Sequence, residues 1–406
     1  SSSSSSSSSS GCAGTAITPY LQVNGGAWQQ TSSASITAGG SVKFGPQPAS
    51  GGSWSWSGCG TSGTSREQTV SPTASCAAAA VYTNSCGAQS TQVFNVAVSA
   101  GDRCDAGVYN PADPPQIVAL SGNLGTHDPT IIQQNGVFYI AQTGPGLQSK
   151  QSTNMTNWSG TGSLFSSNPS WISQQVPGAT DLWAPDLSFF GGQYHLYYSA
   201  STFGSNRSCI GHATRASMAS GSWADQGPVI CSQTSNDYNT IDPNVIVDQA
   251  GTPWLAFGSF WSGIKLIRLN SSGGRADSTI NSIASRNGGA IEAPVIIRRC
   301  GFYYLFVSFD ACCQGANSTY NIRVGRSTNV TGPYADRNGV QMMNGGGTQI
   351  VAGNSSWRGP GHSSVFFVGN NAYNMYHAYR ASDGAPMLRI SEMAWDTGGW
   401  PISAGP

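Results

Sequence analysis

The sequence predicts an all-β protein: a five-bladed β-propeller over residues 121–406, preceded by a small Ig-like β-sandwich over residues 11–104. Three observations point there. Short apolar segments alternate with period two and are broken by Gly, Ser or Pro, as half-buried strands are. Helical periodicity is nearly absent. One strand pair recurs five times: an inner strand, a turn containing Gly or Asn, and an aromatic strand ending in a small residue.

In chain order, residues 1–10 are an uninterrupted serine run, which has no apolar surface to bury and reads as a flexible linker joined to a preceding segment. Residues 11–104 hold short strands such as Ser53-Trp-Ser-Trp56 and Gln92 to Val98, spaced as in a small antiparallel sandwich. Trp54 and Trp56 share parity and so one face. One is expected in the core; the other is left open between core and sugar-stacking platform. Residues 105–120, with Pro111, Pro114 and Pro115, read as an extended linker.

The five copies of the repeat run HDPTIIQQNGVFYIAQT from His127, WAPDLSFFGGQYHLYYSAS from Trp183, IDPNVIVDQAGTPWLAFGS from Ile241, EAPVIIRRCGFYYLFVSFD from Glu292 and GHSSVFFVGNNAYNMYHAY from Gly361. Aligned on the inner strand they lead with positions 128, 184, 242, 293 and 362, steps of 56, 58, 51 and 69 that suit one four-stranded blade each. Innermost strands of a propeller stand side by side around a channel, so the residues at their heads converge. Those heads offer Asp128, Asp242, Glu292 and His362, with Asp186 two positions further into the second inner strand.

Composition narrows the chemistry. Charged residues are 9% of the chain, the net charge is zero, and the chain carries only 18 acidic residues, so it has no electrostatic footprint for nucleic acid or acidic lipid. No apolar run spans a bilayer, and no signal sequence opens the chain, which reads as a processed, secreted protein acting as a monomer. An uncharged surface rich in Trp and Tyr suits a neutral, hydroxylated partner. No nucleophile elbow, HExxH, P-loop or dinucleotide motif occurs, and no organic cofactor is expected. Two carboxyls across a cleft, one protonated and one ionised, are what glycosidic cleavage needs, and a third carboxyl can keep the acid protonated. Ten cysteines without paired CxxC spacing read as disulfides. Cys12 with Cys104 would close the termini of the first unit, and Cys209 with Cys231 is a plausible pair. Cys312 or Cys313 would pair with Cys300 unless the two form a vicinal bridge.

The segments HDPTII, DLWAPDLSFFGGQYHLYYSASTFGSN, IDPNVIVD, AIEAPVI, CCQGANSTYNIRVGRS, GPGHSSVFF and GGWP, in that order over residues 120–403, resemble glycoside hydrolase family 43, and within it the endo-acting α-1,5-L-arabinanases. The resemblance implies an inverting hydrolase of plant cell-wall arabinan. It implies Asp128 as general base, Glu292 as general acid and Asp242 as modulator of the acid's pKa. It also implies a channel ion, commonly calcium, held by His362 through a water shell. His127, Trp183, Asp186, Phe203, Trp261 and Arg326 are the candidate substrate-binding residues. An exo-acting α-L-arabinofuranosidase or β-xylosidase is the alternative within the family, and a noncatalytic carbohydrate-binding propeller the alternative outside it.

Overall fold

A computed structural model describes residues 12–37, 40–72, 75–99 and 102–406; the serine run lies outside them. The chain is all-β and falls into two compact units, residues 1–99 and 100–406. No helix among the described residues is long and apolar enough to cross a membrane.

The first unit pairs a three-stranded sheet (Leu21–Val23, Val42–Phe44, Gln68–Val70) with a four-stranded one (Ser33–Thr37, Gln89–Ser99, Cys76–Asn84, Gly52–Ser57). Inward residues of both, among them Leu21, Phe44, Tyr82 and Phe94, form one core. Trp54 and Trp56 are both in it, at 5% and 8% exposure, so neither is a sugar platform. Trp54 packs on Tyr82 and Trp56 between Phe44 and Phe94, which accounts for their common parity.

The second unit holds five sheets in sequence order. Their first and second strands are Thr130–Gln134 and Val137–Gln142, Leu182–Phe190 and Gln193–Ala200, Asn244–Val247 and Pro253–Phe257, Ile291–Arg299 and Phe302–Phe309, and Trp357–Val368 and Asn371–Arg380. All five hairpins are antiparallel. The first strands contact one another in sequence, and the first strand of sheet five contacts that of sheet one, so the cycle closes. Apolar residues fill the gaps between sheets: Leu187, Leu196 and Ala213 pack toward sheet one, Ile296, Leu305 and Val307 toward sheet three.

The 105–120 stretch, expected to be an extended linker, contains turns at 104–107 and 111–112 and runs along sheet five: Val118 N–H donates to Ile390 O and Tyr109 N–H to Trp395 O. Arg299 holds its start by donating to the carbonyls of Ala106 and Cys104. Five disulfides link Cys12–Cys86, Cys59–Cys76, Cys104–Cys300, Cys209–Cys231 and Cys312–Cys313. The expected closure of Cys12 onto Cys104 is therefore wrong, because Cys300 takes Cys104. The same pairing leaves Cys312 and Cys313 to each other.

Candidate active site

Each sheet of the second unit has a residue in the left-handed region in its first strand or just before it. Asp128, Ala184, Asp242, Ala293 and His362 have φ of 48°, 43°, 58°, 52° and 56°. Outside glycine this conformation costs on the order of 1 kcal/mol or more, so it persists only where the surroundings impose it. Two features accompany it here. Proline follows at 129, 185, 243 and 294 and cannot donate to the ladder. Pairing then slips by a bulge between Trp183 and Asp186, Glu292 and Val295, and Gly361 and Ser364.

The N–H turned out of the ladder crosses to the preceding sheet. Ala184 donates to Thr143 Oγ1 at 2.8 Å, Asp242 to Ser199 Oγ at 2.9 Å, His362 to Ser308 Oγ at 2.9 Å, and Asp128 to His377 Nδ1 at 3.1 Å. The matching acceptor position of sheet three is Gly258, whose N–H bonds Ile241 O as that of Thr143 bonds His127 O. Glycine offers no acceptor side chain, and Ala293 N–H goes instead to Asp242 Oδ2 at 3.0 Å.

This register refines the sequence alignment. Asp128, Asp242 and His362 occupy the turned position itself, whereas Glu292 sits one residue earlier, level with His127, Trp183, Ile241 and Gly361. The turn swings both positions to the same mouth. A cleft of about 880 Å³ opens there, lined by His127, Asp128, Trp183, Phe203, Asp242, Trp261, Glu292 and His362 of the expected residues. Phe203 is 83% exposed and meets Trp183 edge-on at 6.4 Å, so packing does not account for its position. Trp261 and its neighbour Phe260 both have positive φ, 35° and 46°, and their loop is pinned by Phe260 N–H on Ile291 O.

Two expected residues do not line the cleft. Asp186 is 6% exposed and its carboxyl accepts from Asn244 Nδ2 and Val245 N–H, tying sheet two to sheet three. Arg326 lies between the rings of Phe302 and Trp400, 4.4 Å from each, and donates to the carbonyls of Gly398 and Gly399. It anchors the C-terminal turn and has no carboxylate partner in the cleft. Strand parity alone carried no signal for that, since the two carbonyls come from 72 and 73 residues downstream.

The carboxyls differ in surroundings. Burial alone would raise Asp128, but His127 and His362 hold it well below the usual carboxylate range. His127 Nδ1 lies 2.8 Å from Asp128 Oδ2, Thr143 Oγ1 donates to the same oxygen at 2.6 Å, and His362 Nδ1 is 3.2 Å from Oδ1. Burial raises Glu292, against hydroxyl bonds from Tyr320 to Oε1 and Ser259 to Oε2, the latter at 2.8 Å; the negative charge of Asp128 raises it further. Burial, Glu292 and Asp128 together raise Asp242. Burial pushes Asp186 up to about 7. His362 is the counter-charge: burial would lower it, but Asp128, Asp242 and Glu292 push it up to about 9.

Tyr320, Ser259, Thr143 and His377 were not reached from the sequence. Tyr320 lies outside the hairpin repeat, Ser259 closes its third copy but has no counterpart role elsewhere in the repeat, and the acceptor role of Thr143 and His377 follows from a bond between sheets that no local pattern encodes. For a metal, His127, Asp128 and His377 bring one donor atom each within 4.8 Å of one another. Nδ1 of His377 is already taken by Asp128 N–H, and the set holds two nitrogens where calcium takes six to eight oxygens. It does not fit a directly bound calcium.

The sequence profile of the glycosyl hydrolases family 43 matches residues 122–401. The extracellular endo-α-(1→5)-L-arabinanase 1 of Bacillus subtilis (strain 168) is 47% identical over 283 residues, covering 68% of this chain and 86% of that protein. The extracellular exo-α-(1→5)-L-arabinofuranosidase ArbA of Cellvibrio japonicus (strain Ueda107) is 38% identical over 298 residues, again covering 68% and 86%. The solved endo-arabinanase from Bacillus licheniformis superposes with a TM-score of 0.67 at 47% identity, over 70% of this chain and 99% of that one. With a profile match that takes in every carboxyl of the cleft, and relatives covered over most of their own length, this chain belongs to the glycosyl hydrolases of family 43.

Proposed function

We propose that this glycoside hydrolase cleaves α-1,5-linked L-arabinofuranose chains of arabinan internally, with inversion, as a secreted monomer. One observation carries the mechanistic part: three carboxyls on the closed cycle of first strands face one cleft in environments that pull their proton affinities apart. Asp128 is the general base. Kept ionised by His127 and His362, it takes a proton from the attacking water. Glu292 is the general acid; buried beside other carboxyls, it keeps its proton until the leaving oxygen claims it. Asp242, fixed by Ala293 N–H next to Glu292, keeps the acid's proton affinity high. Inversion requires room for the water, so the base and acid carboxyls of such a pair stand roughly 6.5 to 9.5 Å apart. Trp183, Phe203 and Trp261 offer ring faces to furanose rings, and His127 orients the base.

The five sheets, four of them four-stranded and the first five-stranded, with their closed cycle support reading the second unit as a five-bladed propeller, and the two facing sheets of the first support an Ig-like sandwich. That unit is a carbohydrate-binding module or a spacer; retention of residues 11–104 on insoluble arabinan would favour the module. Extracellular names among the relatives and five disulfides support secretion. A calcium ion enters this reading only through a water shell beside His362, and no step is routed through it. No organic cofactor is required.

The test is chromatography of early products from linear arabinan. Mixed oligosaccharides are expected. Arabinose alone from the first time point would make the enzyme exo-acting, and cleavage of aryl xylosides but not arabinan would make it a xylosidase.

A further inference from the structure

The wall of the cleft beside His127 ends in the disulfide between the neighbours Cys312 and Cys313. Closing two adjacent residues into one small ring removes backbone freedom, so the direction of the Cys313 N–H is narrowly set. It donates to the Tyr379 hydroxyl oxygen at 2.9 Å. That hydroxyl lies 2.8 Å from His127 Nε2, and His127 Nδ1 lies 2.8 Å from Asp128 Oδ2.

The proton positions along this chain follow from what each atom can do. An ionised carboxylate only accepts, so His127 carries a proton on Nδ1. With Nδ1–H directed at Asp128, Nε2 faces the Tyr379 hydroxyl, which already accepts from Cys313 and has its own proton to direct there. The rings around the chain limit rotation: His127 stacks on His377 with centroids 4.2 Å apart, and Tyr379 meets His377 edge-on at 5.2 Å. Tyr379 is itself 3% exposed, so water does not compete for its hydroxyl.

We propose that Tyr379 and the Cys312–Cys313 disulfide are positioning residues for the reaction: they fix the tautomer and rotamer of His127, and through it the orientation of the Asp128 carboxylate. This rests on reading Asp128 as the general base. The disulfide sets the outer end of the chain, Tyr379 transmits it while Cys313 Sγ also lies 3.8 Å from His127 Nε2, and neither touches the reacting atoms.

A double-mutant cycle on linear arabinan tests it, comparing wild type, Tyr379→Phe, Cys312→Ala/Cys313→Ala and the triple variant, with thermal melts to show that each is folded. Tyr379→Phe is expected to lower kcat about tenfold with KM within about twofold, since a small misplacement of a reacting group costs rate rather than binding. The double-alanine variant is expected to match it, and the triple variant to be no worse than the poorer of the two, because all break one chain. Effects that multiply overturn the proposal. So does a raised KM at unchanged kcat, which would make the disulfide a wall that touches substrate. If the double-alanine variant does not fold, Tyr379→Phe against His127→Gln completes the cycle by the same criteria. Asp128→Asn is run alongside: full activity there defeats the base reading itself, whatever Tyr379→Phe does.

Discussion

Asp242 Oδ2 accepts the backbone N–H of Ala293 at 3.0 Å, the residue next to Glu292, and it does so where the other four sheet junctions use a hydroxyl or an imidazole. One carboxyl of the cleft is thus also the bond that locks the turn presenting its neighbour. Geometry and electrostatics of the Asp242–Glu292 pair are inseparable for that reason.

Asp242→Asn is expected to lose at least about a hundredfold in activity, in line with the loss of a group that tunes an acid, while melting at a higher temperature at pH 8. The sign follows from Asp242 being raised by burial: its ionisation costs stability once pH exceeds the unfolded value near 4, and the amide removes that cost. The gain should vanish at about pH 2.5, well below the unfolded value, where both states are protonated. Calorimetry at the two pH values decides it, and equal gains at both would refute the assignment.

Glu292→Gln is expected to lower kcat on arabinan by about 10² to 10⁴ but to spare much of the rate on an aryl arabinofuranoside with a good leaving group, which needs no proton. Asp128→Asn should be as poor on both substrates, since each requires an activated water. Matching losses for the two variants on the activated substrate would reverse or void the two roles.

Tyr320→Phe and Ser259→Ala each remove a hydroxyl bond that favours the ionised form of Glu292. Glu292 then rises further and stays protonated to higher pH, so the alkaline limb of kcat/KM should move up. The acid limb, set by the depressed Asp128, should stay in place. A downward move of the alkaline limb would contradict the hydrogen-bond account.

Arg326→Ala is expected to leave kcat and KM unchanged and to lower the melting temperature by several degrees, from loss of two ring contacts and two carbonyl bonds worth together roughly 1 to 3 kcal/mol. Phe203→Ala should do the opposite, raising KM about tenfold at constant stability, because an exposed ring has little packing to lose. Kinetics beside melting curves separate the two cases.

The repeat was legible because each sheet reuses one hairpin, and with it the convergence of Asp128, Asp242, Glu292 and His362 on one mouth. Register was not legible to the residue: the bulge that follows the proline sets Glu292 one place ahead of the turned position, and a bulge has no side-chain signature. Arg326 was misplaced because one of its rings, Trp400, and both its carbonyls are brought in by the C-terminal turn, far away in sequence. Trp54 and Trp56 showed their shared face, but whether that face is inside depends on a second sheet they do not pair with. Of the hydroxyls on Glu292, that of Tyr320 fell outside every repeat and that of Ser259 at the end of the copy before it, so the pair could only be found in three dimensions.

The five left-handed turns have one more consequence. Their geometry is held by main-chain donors reaching across to the neighbouring sheet, so the side chain at each turn is free of structural duty except at Asp242. Alanine at 184 and 293 makes this plain: a methyl group suffices there. The ring works as five interchangeable sockets of which two carry blanks, and those two are where a new functional group could be fitted without redesigning the scaffold.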